Sequence, residues 1–497
     1  MQRKKLTLVI VSLLVVVLSV SLAYFTTQII GKGKDVSVTS TNLQIVFTDT
    51  DGEIASADIE PGWQKTKTFT VQNNSKSEYK YNIVIKDLLN TFVTEGYLQY
   101  KITSTNGGYN MTDYKEVPKS SVPKDTILAY SVSIPVGETQ SYTIEFKYAN
   151  DESVDQSDDM GKKLSGTLFI TEGTEEPVTL LSQLLADKST KLTRTDFSTV
   201  LTTDNTKTLY TSTEDSKTVY YFAGNATDNW VKFGGYYWRI IRTNSDGSVR
   251  LLYHSTSTTA TDAYIVTNTA FNSLYKDPMY VGYMYGTSGS LINNRTNEND
   301  STIKGAIDTW YANNLKTNYG KYLSTTAVYC NNRSVTDGTY SVSTAFNYAA
   351  YTRLVTNKTP SYDCTATEDK FTVDSSTGNG KLTYPIALMT VDEVSFAGGL
   401  MLTNAPTWYY YNNANGSSTG ANWWVLLSPY NWSGGNANVF FVSGSVNPGN
   451  LNNDPGHLYY QNAGTHCAVR PVISLKGDII YKSGDGSADS PYEIVTN

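Results

Sequence analysis

The chain opens with an uninterrupted apolar run. Residues Leu6 to Ala23 contain no charged side chain and follow three basic residues at positions 3–5. A basic start before such a run is typical of an export signal. As a helix it would reach ~27 Å, close to the ~30 Å of a hydrocarbon core. We therefore predict one apolar helix within residues 1–31, either a cleaved signal peptide or a retained membrane anchor. The rest of the chain is then outside the cell.

Between Val36 and Ile170, apolar and polar residues alternate in seven short runs separated by Gly, Asn, Asp and Pro turns. A period of two is the period of a β-strand, and it places Phe69 and Val71 on one face. Seven such runs predict an antiparallel β-sandwich over residues 32–172. The apolar stretch 87–93 is the exception and predicts a short helical crossover.

The pattern changes after Thr171. An acidic stretch that ends at Pro177 precedes four leucines at helical spacing, and a Thr-rich stretch follows to about residue 206. This composition predicts a linker over residues 173–204 that contains a short helix.

The remaining residues, 205–497, mix both periods and predict an α+β domain. Residues 245–247 (Ser-Asp-Gly) predict a hairpin turn between two strands. Ser301 or Thr302 is the predicted N-cap of an amphipathic helix. Thr390 and Glu393 are spaced as a capping box for a shorter helix that Gly398 ends. The whole chain is thus predicted to be mainly β with α+β character.

Composition narrows the classes of function. Charged residues are 17% and the net charge is −7. Since no basic stripe appears, we expect no nucleic-acid partner. Only three His are present, and no motif of a hydrolase, zinc protease or nucleotide-binding loop occurs. We therefore expect no metal, no cofactor and no catalytic residue. The acidic turns at 49–53 and 485–489 are interpreted as hairpin turns, with calcium binding as the alternative.

Three cysteines are present, which predicts one disulfide and one free thiol in an exported chain. Three pairings exist. We favour Cys330 with Cys364, because the interval between them is turn-rich and polar, and we interpret Cys467 as a small buried residue.

Residues 404–466 are the most site-like part of the chain. They are rich in Asn, Tyr, Trp, Ser and Gly and lie between apolar blocks, a composition typical of binding loops. Trp432 is predicted to lie in a Gly-rich loop and to contact a ligand, while one ring of the Trp423–Trp424 pair is predicted to be buried. The alternative is an ordinary polar surface. The candidate ligand-binding residues are Tyr409, Tyr411, Asn412, Asn415, Trp432, Asn436, Asn438, Asn447, Asn450 and Tyr460.

The N-terminal third also carries a family resemblance. SLAYFTTQ, NLQIVF, IEPGWQKTKTFTVQNNS and YNIVI resemble the exported β-sandwich proteins of Gram-positive bacteria typified by TasA and camelysin. The resemblance covers about residues 1–170. It implies an extracellular sandwich and, for the fibre-forming members, self-assembly.

The C-terminal part, about residues 205–497, resembles a bacterial surface-protein domain of unassigned function whose fold is similar to C-type lectins and to the formylglycine-generating enzyme. The resemblance rests on VKFGGYYWRIIRTNSDGSVRLLYH, STIKGAIDTWYANNL, KLTYPIALMTVDEVSFAGG, WWVLLSP and AVRPVISL. The sequence departs from both relatives. Asn404-Ala405-Pro406 lacks the acid of the calcium-dependent sugar motif, and Cys330 and Cys364 lack the surroundings of the enzyme's active site.

Together these features predict a membrane-tethered or secreted bacterial cell-surface protein. Its lectin-like domain would recognise a glycan or protein ligand without catalysis. One alternative is a structural envelope or biofilm-matrix component that self-assembles through sandwich edges. A less favoured alternative is an oxidase of the formylglycine-generating type.

Overall fold

The structure, a computed structural model, describes residues 59–260, 263–405, 407–409, 423–443 and 456–496, and the backbone of 36–40 and 43–49. The apolar segment Leu6–Ala23 lies outside these ranges, so its helix stays a prediction. Among the helices of the described ranges, none combines the length and apolarity needed to cross a membrane. The chain is mainly β and divides into two compact units, Met1–Glu176 and Pro177–Asn497.

Within the described ranges, the first unit contains nine strands. Their bounds are β1 Val36–Ser40, β2 Leu43–Asp49, β3 Gln64–Asn73, β4 Tyr79–Asn90, β5 Leu98–Ser104, β6 Lys115–Glu116, β7 Ser120–Ile134, β8 Thr139–Tyr148 and β9 Leu164–Glu172. Six strands form one sheet in the order β1-β2-β3-β8-β5-β6, and three form another in the order β7-β4-β9. Every pairing in both sheets is antiparallel.

Both sheets contribute side chains to one apolar core. Phe69 and Val71 of β3 are buried, whereas Thr68, on the other face of the strand, is exposed, as the alternation predicted. Ile83 of β4 and Leu168 of β9 join them from the three-stranded sheet. Burial of these faces is the main favourable term in the stability of such a unit.

The helical crossover predicted at 87–93 is wrong. Most of that stretch continues strand β4, which ends at Asn90. Asp87 has a positive φ of 51°, and the register to both neighbouring strands shifts around it. A short apolar run does not distinguish a helix from a strand by its period. Here the irregularity at Asp87 interrupts the two-residue alternation that would have identified a strand.

The second unit contains twenty-one strands within the described ranges. Their bounds are β10 Thr190–Thr193, β11 Thr208–Glu214, β12 Lys217–Tyr221, β13 Trp230–Phe233, β14 Tyr236–Thr243, β15 Val249–Ser255, β16 Val266–Ala270, β17 Met284–Tyr285, β18 Asn299–Asp300, β19 Tyr329–Cys330, β20 Val335–Asp337, β21 Phe346–Tyr348, β22 Lys370–Phe371, β23 Ile386–Leu388, β24 Trp424–Ser433, β25 Asn436–Val442, β26 Leu458–Asn462, β27 His466–Val469, β28 Pro471–Leu475, β29 Tyr481–Ser483 and β30 Tyr492–Ile494.

In the part of the second unit that the structure describes, six α-helices accompany these strands, and a π-helical turn, Thr352–Thr356, follows the fifth. Their bounds are α1 Leu180–Asp187, α2 Leu291–Asn294, α3 Thr302–Asn314, α4 Lys316–Tyr319, α5 Ala349–Tyr351 and α6 Val391–Phe396.

Two larger sheets organise the second unit. A ten-stranded sheet runs β10-β11-β12-β14-β13-β30-β29, with β15, β28 and β23 continuing from β14. A seven-stranded sheet runs β16-β27-β24-β21-β20, and β25 and β26 extend it from β24. Strands from both sheets and helices α1 and α3 share one large core.

Most of the segment predicted as a linker belongs to this second unit. Leu180 and Leu184 of α1 are buried in its core, and the Leu180 N–H donates to the Ile479 carbonyl at 2.8 Å. Strand β10 pairs in parallel with β11. The helix was predicted correctly, but its two buried leucines fix it to a domain instead of leaving it between domains.

Three local predictions in this unit are confirmed. Residues 245–247 turn the hairpin between β14 and β15, with Gly247 at a φ of 81°. The Ser301 side chain caps α3 by accepting the Lys304 N–H. Thr390 and Glu393 form the capping box of α6.

Candidate functional site

Half of the predicted binding residues lie outside the described ranges. These are Tyr411, Asn412, Asn415, Asn447 and Asn450, and their role stays a prediction. The other five are Tyr409, Trp432, Asn436, Asn438 and Tyr460, and the structure separates them into buried rings and a sheet surface.

Tyr409 and Trp432 are core residues, contrary to the expectation that both rings face a ligand. The Tyr409 side chain is fully buried, and its hydroxyl donates to the Gly456 carbonyl at 2.9 Å. Trp432 is 4% exposed and lies in β24 opposite Phe346 and Ala437. The Gly-rich turn predicted to hold it begins at Gly434, so the alternation of the strand turns the Trp432 ring inward.

The Trp423–Trp424 pair behaves as predicted. The Trp424 ring is fully buried, whereas Trp423 is only partly buried at the margin of the core.

Asn438 belongs to a row of amides that crosses the seven-stranded sheet. Asn347 of β21 stands opposite Asn431 of β24, Asn431 opposite Asn438 of β25, and Asn438 opposite Asn462 of β26. Residues that are directly opposite on neighbouring strands lie on the same face of a sheet. We call these four side chains the amide row. Asp337 of β20, opposite Asn347, ends it.

The amides of this row are only partly used by the protein. The Asn438 Nδ2 group donates to Asn431 Oδ1 at 2.7 Å, and Asn347 Nδ2 donates to Asp337 Oδ2 at 2.8 Å. Within the described ranges, the side-chain amide of Asn462 has no hydrogen-bond partner, and it is partly exposed. Donor and acceptor capacity therefore remains along the row.

Aromatic rings run beside the amide row. The Tyr430 and Tyr460 rings stack with centroids 4.0 Å apart and planes 5° apart. The Tyr351 ring contacts the Tyr430 ring of this pair, and the two ring centroids are 4.9 Å apart. At the edge strand, Tyr459 contacts Tyr460 at 5.2 Å and Trp423 meets Tyr459 at 5.5 Å, but consecutive residues of a strand point to opposite faces, so Tyr459 and Trp423 belong to the other side of the sheet. We call the rings of Tyr351, Tyr430 and Tyr460 the aromatic row.

A β-bulge brings the two rows onto one face. The register between β24 and β25 shifts between Pro429 and Asn431, so one extra residue interrupts the alternation of β24. Tyr430 consequently contacts Phe440 and Tyr460, while Asn431, the next residue, bonds to Asn438. Bulges of this kind re-aim side chains and are frequent beside functional sites. The amide row and the aromatic row together form what we call the amide–aromatic face.

The hydroxyl of Tyr430 is held neutral. Burial raises the pKa of Tyr430, and the neighbouring Tyr351 and Tyr460 raise it further. Asn436 lies at the end of this face, where its Oδ1 accepts a hydrogen bond from Lys276 Nζ at 2.8 Å.

A second polar cluster in this unit is built very differently. Glu393 Oε1 accepts Arg242 Nε at 3.0 Å and Arg250 Nη1 at 2.6 Å. Arg242 also donates to Glu214 at 2.7 Å, and Arg353 forms a bidentate pair with Asp392. We call these six side chains the charge network.

The pairing within the charge network controls its protonation. Burial alone would raise the pKa of Glu393, but the positive charges of Arg250 and Arg242 outweigh burial and lower it. The pKa of Glu214 is lowered in the same way by Arg242. Both carboxylates are therefore ionised at neutral pH, and each faces an arginine.

The cavity beside the charge network is small. Arg250, Tyr362 and the disulfide residue Cys330 contribute to its wall, and its volume is about 20 Å³, roughly the space of one water molecule. Ligand pockets usually measure hundreds of Å³. Because its charges are paired and its cavity is this small, we interpret the network as part of the architecture.

The cysteines follow the prediction. Cys330 and Cys364 form a disulfide. Cys467 is a free, buried cysteine, and burial raises the pKa of its thiol to about 12, so it is inert at neutral pH. Within the described ranges, no three His, Cys, Asp or Glu side chains are grouped to hold a metal ion.

Sequence reasoning missed Asn347, Asn431 and Asn462, together with the rings of Tyr351 and Tyr430. These residues are up to 115 positions apart in the chain, and only the strand register aligns them. The one local signal was that Asn431 and Asn462 have aromatic residues nearby in the sequence, in the segments YNW and YYQN.

Comparisons with known proteins give no family for this chain. No family model matches it, and no curated protein matches it. A solved structure described as "AvmM Catalyzes Macrocyclization in Alchivemycin A Biosynthesis" covers 30% of this chain and 100% of its own, with 11% sequence identity and a TM-score of 0.15. A likeness this weak carries no argument about fold or function.

Proposed function

We propose that this protein is a bacterial cell-surface or secreted protein whose second unit recognises a glycan or protein ligand without catalysis. The observation that carries the proposal is the amide–aromatic face, where the half-buried rings of Tyr351 and Tyr460 lie beside the half-buried amides of Asn431 and Asn462, which keep free hydrogen-bonding atoms. Of the predicted binding residues, Tyr460 lies on this face, and Asn438, which is 7% exposed, holds Asn431 in the row by a hydrogen bond.

The chemistry of the face favours recognition. Tyrosine and tryptophan rings offer large contact areas at a low cost in conformational entropy, and amides offer both a donor and an acceptor. A face built on paired strands holds its side chains more firmly than a loop does.

The proposed location follows from the N-terminal apolar run and from the disulfide between Cys330 and Cys364. Disulfides persist mainly in oxidising compartments such as the cell exterior. In this proposal residues 6–23 tether the chain to the membrane or are removed on export. The first unit is a β-sandwich spacer and the second unit is lectin-like.

The test is binding of the purified full-length protein to intact bacterial and host cells, in a detergent without a sugar headgroup. Tyr460→Ala should lose most of the saturable binding. Tyr285→Ala, a partly exposed ring with one ring neighbour, Tyr280, should keep it and serves as the matched control.

Equal binding by the Tyr460→Ala variant and the wild type would contradict the proposal, as would the lack of saturable binding by folded protein. Concentration-dependent fibres without cell binding would favour the alternative of a structural matrix component.

A further inference from the structure

We infer that the ligand of the amide–aromatic face is a linear, uncharged oligosaccharide that lies across the strands along the amide row. This inference rests on the proposed function and names its ligand class.

The spacing of the amide row indicates an oligomer. Neighbouring strands are ~4.8 Å apart, so four strands place Asn347 and Asn462 about 14 Å from each other. One amide stands on each strand across this distance. A monosaccharide would contact only part of the row, whereas a chain of several sugar rings can contact all of it.

The hydrogen-bonding capacity of the row matches hydroxyl groups. A sugar hydroxyl both donates and accepts, as a side-chain amide does. The Asn462 amide is free of partners within the described ranges, and Asn431 uses its Oδ1 for Asn438, so its Nδ2 group can donate. Along the row, some amide atoms are already hydrogen-bonded to a neighbouring side chain and others are free. This arrangement suits a ligand with a hydroxyl on each ring.

The aromatic row matches the other side of the same ligand. Sugar rings have apolar C–H surfaces that pack against aromatic rings, and a contact of this kind excludes water from the adjoining hydrogen bonds. Tyr430 is 7% exposed and backs the row, so the half-buried rings of Tyr351 and Tyr460 provide the apolar contact beside the amides. A ligand with one apolar surface and one hydroxylated edge can use both rows together.

The charge of the face excludes a strongly ionic ligand. Asp337 ends the amide row on one side, and the Lys276 ammonium lies at Asn436. The arginines of the charge network are paired with Glu214, Glu393 and Asp392. An anionic polymer would need unpaired cations along its length. An extended peptide would pair with a sheet edge, whereas the amide row lies on a sheet face.

The experiment is isothermal titration of the full-length protein with neutral linear oligosaccharides of one to six rings, built from glucose, mannose or N-acetylglucosamine. Uronic-acid oligomers of the same lengths test the effect of charge. We expect at least one neutral series to bind, with affinity that rises with length until about 14 Å is filled. Addition of EDTA should leave binding unchanged, because calcium has no part in this face.

Paired variants locate the site. Asn462→Ala and Tyr460→Ala should each weaken the affinity of the longest ligand about tenfold, a typical loss for a central contact. Asn299→Ala and Tyr285→Ala are the controls, because these two residues also face each other across strands, in β17 and β18. Their affinities should equal that of the wild type.

Treatment of the cells separates this inference from the proposed function. If periodate oxidation of cell-surface sugars abolishes binding and protease treatment does not, the glycan inference is supported. If protease abolishes binding that still depends on Tyr460, the proposed function stands and the glycan inference is wrong. Tighter binding of the uronic-acid series, or equal affinity for one ring and six, would also overturn it.

Discussion

Two polar clusters of the second unit, the charge network and the amide–aromatic face, differ in how far their side chains are buried and paired. In the charge network, Glu393 alone accepts from both Arg242 and Arg250, and all three side chains are buried. On the amide–aromatic face, by contrast, Asn462 is partly exposed and has no partner within the described ranges.

This difference indicates how to separate architecture from recognition. A buried charge is tolerated only when a partner compensates for its lost hydration, so removal of one partner from the charge network should destabilise the fold. Polar groups that are aligned by register yet left available are better explained by an outside partner. Removing a member of the charge network should therefore change stability, and removing a member of the face should change binding.

Loss of Glu393 should have the largest effect. Glu393→Ala leaves Arg242 and Arg250 without a shared carboxylate, and we expect a loss of ~3–5 kcal/mol in the free energy of unfolding. Urea unfolding followed by tryptophan fluorescence measures this loss. The control is Glu493→Ala, which removes an exposed pair with Lys482 and should cost at most ~1 kcal/mol. Equal losses in the two variants would show that the charge network is not a stability element.

Removal of the disulfide should come next. Cys330 and Cys364 are 34 positions apart, and closing such a loop contributes about 3–4 kcal/mol in the chain-entropy model. We expect Cys330→Ser with Cys364→Ser to unfold at lower urea, while ligand binding by the folded protein is kept. Cys467→Ala, which has no disulfide to lose, is the control. Weaker binding in the folded double variant would mean that the two regions are coupled.

Acid should weaken the charge network before it affects the face. The folded pKa of Glu393 lies below its unfolded value of ~4.3. Its ionic stabilisation is therefore complete above that value and is lost as pH falls through the folded pKa. We expect the urea midpoint of the wild type to fall more steeply below about pH 4.5 than that of Glu393→Gln. Parallel pH curves for the two proteins would contradict the assignment of the ionised pair.

Loss of the Tyr460 ring should change stability least and should change binding clearly. Tyr460→Ala removes one partly exposed ring from a stack and should cost about 1 kcal/mol or less of stability, while ligand affinity falls about tenfold. Tyr460→Phe keeps the ring and should bind within about threefold of the wild type. If Tyr460→Phe lost as much affinity as Tyr460→Ala, the hydroxyl and not the ring would carry the contact.

Local chemistry in this chain was readable from the sequence. The capping box at Thr390 and Glu393, the Ser301 cap and the hairpin at 245–247 each depend on residues within a few positions of one another. The leucines of α1 likewise revealed their helix. Such features are determined by short-range geometry and do not require knowledge of the fold.

The amide–aromatic face was predicted only in part, because register is a long-range property. Composition directed attention to Asn438 and Tyr460, but nothing near Asn347 shows that it lies opposite Asn431. The same limit explains Trp432, whose Gly-rich neighbours suggested a loop although its strand pairing buries the ring. Which side of a strand faces the core depends on pairing partners that are distant in the sequence.

The most direct test of the central claim is to map a bound ligand without altering the protein. A neutral oligosaccharide of four to six rings that carries a photoreactive diazirine would be cross-linked to the full-length protein, and the adducts would be located by mass spectrometry. We expect adducts on peptides that contain Tyr430 to Asn438 and Tyr459 to Asn462, and unlabelled ligand should compete them away. Adducts concentrated around Arg250, Arg353 and Tyr362, or competed adducts on the first unit, would contradict the central claim.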